Sequence, residues 1–68
     1  MTNIDYYGVE NLRYLTFFSV KDGQYAQDIY YIPKHSRNVK SILLETFVGD
    51  KVDLINSTLK WLFEESKY

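Results

Sequence analysis

The chain contains no cysteine. That absence removes disulfides, thiolate metal sites and thiol catalysis together, and it argues against a small secreted protein held by bridges. The start of the chain, Met1-Thr2-Asn3-Ile4-Asp5, has neither the basic nor the apolar segment of a secretory signal. A cytoplasmic setting is the expectation. Proline occurs once and glycine three times, too few for a collagen-like or low-complexity chain. Gly8, Gly23 and Gly49 lie far apart, so no glycine-rich phosphate loop is present. Uninterrupted apolar runs fall well short of the ~18 residues of a membrane span.

Chemistry-bearing clusters are equally scarce. His35 is the one histidine; it stands beside Ser36 in a basic stretch with no acid near it in sequence to orient the imidazole, which argues against a hydrolytic triad. Carboxylates are scattered apart from Glu64-Glu65, a pattern that gives no metal-ligand spacing. No catalytic residue, metal or cofactor is expected, and the chain reads as a non-enzyme.

What remains is a 68-residue chain that is 46% hydrophobic, sufficient for one small domain over 1–68. Its net charge is −1, which gives no global attraction to nucleic acid or anionic lipid. The charge is unevenly placed. Residues 34–44 carry Lys34, Arg37 and Lys40 and no acid, while acids outnumber bases on either side. Seven Tyr, four Phe and one Trp are too many to hide in a domain that buries only ~60% of its unfolded surface.

The runs Leu12–Val20 and Gln24–Ile32 are rich in β-branched and aromatic residues and predict two strands, joined through Lys21-Asp22-Gly23. Asp-Gly is a strong hairpin signal, because glycine accepts positive φ. A two-residue turn would pair Val20 with Tyr25; a three-residue loop would pair it with Gln24. Both strands are apolar on both sides. Leu15 and Phe17 oppose Tyr14, Phe18 and Val20 on the first, and Tyr25, Ile29 and Tyr31 oppose Ala26, Tyr30 and Ile32 on the second. Pro33 ends the hairpin and 33–38 reads as a basic loop.

Residues 39–48 fit a helical face and a strand face equally well. Thr46-Phe47-Val48 followed by Gly49-Asp50 favours a third strand, which would give the hairpin the sheet it needs. Asp50 is suited to cap a helix over 51–65, with Val52, Ile55, Leu59, Leu62 and Phe63 as its core stripe and Trp61 beside it, partly exposed. Residues 1–11 show neither period and read as an irregular arm. The expected fold is therefore α+β: a hairpin over 12–32, a third strand over 39–48, and an amphipathic C-terminal helix on one sheet face. The alternative is a hairpin followed by two helices.

One helix covers one face of such a sheet. The other face needs a partner, and two kinds fit. Tyr, Trp and Phe are enriched in protein interfaces, which makes Tyr14, Phe18, Tyr25, Tyr30, Tyr31 and Trp61 the candidates for docking another protein or a second copy. The protein would then be a homodimer, or a small inhibitor or adaptor acting by occlusion or assembly. The same rings beside Lys34, His35, Arg37 and Lys40 also suit a phosphate or single-stranded nucleic acid, a reading the net acidity disfavours. Abundant Asn, Lys, Ile, Tyr and Phe suggest an AT-rich genome, where short acidic stand-alone domains are frequent phage and mobile-element products.

Overall fold

A computed structural model describes residues 1–33 and 40–67. In chain order it contains helix α1 (Asn3–Tyr7), a single 3-10 turn (Val9–Asn11), strands β1 (Leu12–Ser19), β2 (Gln24–Tyr31) and β3 (Ile42–Gly49), and helix α2 (Lys51–Leu62). The strands form one antiparallel sheet in the order β1-β2-β3. The α+β expectation holds, and 39–48 contributes a strand rather than a helix.

The hairpin closes differently from both expected registers. Ser19 pairs with Gln24, leaving the four-residue loop Val20–Gly23. Gly23 N–H donates to the Ser19 carbonyl at 2.8 Å, a closure that uses the left-handed conformation of Gly23, φ +65°. Ser19 and Asp22 also hydrogen-bond through their side chains, which ties the loop shut at its base. Between β2 and β3 the register shifts after Ile29: that residue faces Glu45, whereas Tyr30 faces Leu43. Leu44 is thus the extra residue of a β-bulge.

Helix α2 begins where the sheet ends. The Asp50 carboxylate accepts from Asp53 N–H at 2.8 Å, satisfying one of the free N–H groups of the first turn. The helix lies chiefly over β2 and β3; on β1 Leu12 is buried with Leu62, while Tyr14 and Phe18 stay about half exposed. Its rotation departs from the sequence expectation. Leu54, Thr58 and Leu62 are its buried residues, while Val52, Ile55, Leu59 and Phe63 are 50–65% exposed. Two contacts set this rotation. Gln27 Nε2 donates to Thr58 Oγ1 at 2.7 Å, and Trp61 stacks on Tyr7 with ring centroids 6.0 Å apart.

Residues 1–11 are built into the molecule rather than forming an irregular arm. Thr2 caps α1 by accepting from Asp5 N–H. The Asn3 amide donates to the Trp61 carbonyl at 2.7 Å and its backbone N–H to Glu64 at 2.9 Å. The core is small: Leu12, Ile29 and Leu62 are buried together, with Ile4, Tyr7, Leu44, Phe47 and Trp61 packed around them.

Candidate interaction surface at strand β1

The two sheet faces follow from the register. Leu12, Tyr14, Thr16 and Phe18 of β1 share the helix side with Tyr25, Gln27, Ile29 and Tyr31, because these residues pair across β1 and β2. Arg13, Leu15 and Phe17 lie on the open side with Ala26, Asp28 and Tyr30, joined from β3 by Thr46 and Val48.

The residues expected to form one aromatic docking face therefore divide. Tyr14, Phe18, Tyr25 and Tyr31 are on the helix side and Tyr30 is on the open side. Trp61 is half-buried, packed against the core and partly exposed as expected. Lys40 is exposed; Lys34, His35 and Arg37, with the basic loop they belong to, lie outside the described residues.

Exposure concentrates along β1. Tyr14 is 45% exposed, Leu15 53%, Phe17 44% and Phe18 51%. Because α2 stops short of this strand, an apolar trough of about 310 Å³ opens between them, lined by Tyr14, Gln27, Ile55, Thr58, Leu59 and Leu62. Its floor carries a short polar chain in which Thr16 donates to Gln27 Oε1 at 3.1 Å and Gln27 donates to Thr58. At one end the Phe18 and Tyr25 rings meet edge to face at 5.1 Å, and Lys51 Nζ sits 5.1 Å over Tyr25. Partial burial holds the Tyr14 phenol above its ordinary pKa.

The open face has a polar centre within an apolar ring. Asp28 accepts from Tyr30 at 3.0 Å and from Thr46 at 2.9 Å, while Leu15, Leu43 and Val48 around it are each more than half exposed. The hydrogen bond to Asp28 is the main reason the Tyr30 phenol is raised above 10.0, with burial and the Asp28 charge adding to it.

The sheet's two edges differ. The Asn11 and Ser19 carbonyls accept from Ile32 and Gly23 N–H, both at 2.8 Å. In an antiparallel ladder this turns the odd-numbered backbone groups of β1 toward β2 and those of Leu12, Tyr14, Thr16 and Phe18 toward the free edge. Arg13 covers one end of that edge, its Nη1 donating to the Leu12 and Glu10 carbonyls at 2.8 and 2.9 Å. From Tyr14 to Ser19 the strand carries no charge and no bulge. At the opposite edge, β3 has the bulge at Leu44, and Thr46 N–H is occupied by the Glu45 carboxylate at 3.2 Å. Bulges and edge charges are how sheets discourage further pairing. They protect β3 and are absent from the middle of β1.

A shallow cleft of about 260 Å³ near the chain ends is lined by Asn3, Tyr7, Leu44, Trp61, the acids Glu45, Glu64 and Glu65, and Lys67. Its two rings stack on each other rather than around a guest, and no group of three metal-ligating side chains occurs among the described residues. Nor is any described helix long and apolar enough to cross a membrane. No protein family, curated protein or solved structure matches the chain.

Sequence reasoning identified Tyr14 and Phe18 as exposed rings but missed Ile55 and Leu59, which had been assigned to the core. The usable signal was Thr58: a helix face carrying Leu54, Thr58, Trp61 and Leu62 is a second apolar stripe that a polar residue hides.

Proposed function

We propose that the protein is a binding module that docks another polypeptide along β1, acting by occlusion or assembly rather than by catalysis. The observation that supports this is an edge strand apolar on both faces, with its outward backbone groups from Tyr14 to Phe18 unblocked, beside a trough lined by Ile55 and Leu59. Strand addition with side-chain pockets alternating along the strand is a general mode of polypeptide recognition. Aromatic anchors are the residues that dominate such interfaces. Among the described residues the trough lining carries no cation, and the charge of nearby Lys51 is already placed over Tyr25. A backbone of phosphates would find little there, which favours protein over nucleic acid.

The test is a capture experiment with wild type and Phe18→Asp, using lysate of the source organism together with a differently tagged copy of the chain. A near-stoichiometric polypeptide, whether self or other, held by wild type and lost by the folded variant supports the reading. Equal capture by the two, or capture of single-stranded oligonucleotides that weakens with salt and ignores Phe18→Asp, overturns it.

A further inference from the structure

We infer that the polypeptide docked on β1 is a second copy of this chain, joined by antiparallel β1–β1 pairing about a two-fold axis at Thr16. This rests on the protein-binding reading and adds the identity and register of the partner.

The register follows from the free backbone groups. Tyr14, Thr16 and Phe18 direct theirs outward and are unblocked, whereas the Leu12 carbonyl is held by Arg13. Centring the axis on Thr16 sets Tyr14 opposite the partner's Phe18 and Thr16 opposite the partner's Thr16, each pair exchanging two main-chain hydrogen bonds. Moving the axis to Leu15 would place Phe18 against the blocked Leu12. Moving it to Phe17 would place Tyr14 against Val20, which belongs to the hairpin loop. Centring between residues would set outward groups against inward ones and forfeit the ladder.

The side chains obey the same symmetry. Tyr14-Leu15-Thr16-Phe17-Phe18 matches aromatic to aromatic on the helix side and Leu15 to the partner's Phe17 on the open side, and cross-strand pairs of these types stabilise sheets. No charge lies between Tyr14 and Val20, so no like charges meet across the axis.

Both helices then stand on one side of a six-stranded sheet, and the two troughs become one, filled by aromatic rings from both copies. The area is adequate. Half-exposed aromatic side chains leave about 100 Å² each. With Leu15, Val20, Ile55 and Leu59, each copy offers about 700 Å², close to the roughly 800 Å² per partner of a standard interface. The resulting contact is isologous and closed, leaving no free β1 edge to recruit further chains.

Sedimentation equilibrium from 1 µM to 1 mM tests the pairing, with wild type expected at twice the 8.1 kDa chain mass. Thr16→Pro removes an amide that points outward, not toward β2, and Thr16→Lys sets two ammonium groups across the axis. Either variant should keep the wild-type circular dichroism and sediment as a monomer. Because the chain lacks cysteine, Thr16→Cys reads the register directly. Residues of a hydrogen-bonded antiparallel pair have Cα atoms about 5.5 Å apart, within disulfide range, so mild oxidation should link the chains. Asn56→Cys, exposed on the outer face of α2, should not.

A wild-type monomer at 1 mM with no Thr16→Cys linkage overturns the second copy as partner. The protein-binding reading would survive if Phe18→Asp still abolished capture of another polypeptide. A dimer that persists in Thr16→Pro and Thr16→Lys, with no Thr16→Cys linkage, overturns the β1 register.

Discussion

Asn3 is a polar residue only 9% exposed, and its amide is used: it donates to the Trp61 carbonyl near the end of α2. A helix C-terminus leaves carbonyls without intrahelical donors, so an amide delivered from residue 3 also locks the start of the chain to its far end. Asn3→Ala should lower the unfolding free energy by about 0.5–1.5 kcal/mol, the net worth of one hydrogen bond, because the Trp61 carbonyl keeps the Glu64 N–H at 3.2 Å; urea denaturation measures it. Tyr30 offers a test of sign. Its folded pKa is raised, chiefly by donation to Asp28, so the neutral phenol is the form that stabilises the fold. That contribution is complete below the ordinary value of 10.0 and disappears as pH climbs through the raised folded value. The stability difference between wild type and Tyr30→Phe should therefore be constant from pH 7 to 9 and shrink above 10, read from urea midpoints. A difference that grows above pH 10 would contradict the assigned hydrogen bond.

Among the elements, α2 shows best what one sequence reveals and what it withholds. Its existence was legible because Asp50 is a strong cap and apolar residues recur at helical spacing. Its rotation was not, because the richer stripe was assigned to the core. The helix instead turns Leu54, Thr58 and Leu62 inward, and the polar Thr58 is acceptable there because Gln27 meets it. The hairpin was readable from Asp22-Gly23, yet the Ser19–Asp22 hydrogen bond accompanies a longer loop than those residues alone imply. Helix α1 was illegible, since five residues are too short to display a period. Half of the proposed interaction surface was legible as exposed rings on β1, and the half supplied by α2 was hidden by the same rotation error. Two neighbouring substitutions measure that rotation. In a Thr16→Pro background, where the proposed β1 pairing would not contribute, Leu54→Ala should cost about 2–4 kcal/mol as a 1% exposed core residue. Ile55→Ala, at 58% exposure, should change stability by about 0.5 kcal/mol or less. The reverse order would restore the stripe read from sequence.

The whole molecule is thin and open for its mass. It measures 37 × 27 × 17 Å with a radius of gyration of 12.9 Å, against about 11 Å for a compact chain of this length. Its surface is 5167 Å², where the scaling for compact monomers gives about 4,500 Å². The excess is comparable to one side of a standard interface. A core with so few fully buried side chains supplies little stability alone, and a small domain commonly draws the remainder from association. The proposed β1 pairing would link folding to association and make stability a function of concentration. A hundredfold increase in protein should add about 2.7 kcal/mol to the folded dimer, raising the thermal midpoint by roughly 5–10 °C. Thr16→Pro should melt at one temperature across the same range, lowered by the loss of the Thr16–Gln27 hydrogen bond, and wild type should lose its concentration dependence below the dimer's dissociation constant. Scanning calorimetry or circular dichroism melts from 5 to 500 µM give the comparison. A wild-type midpoint independent of concentration over that range would mean that the exposed strand contributes nothing to the stability of its own fold.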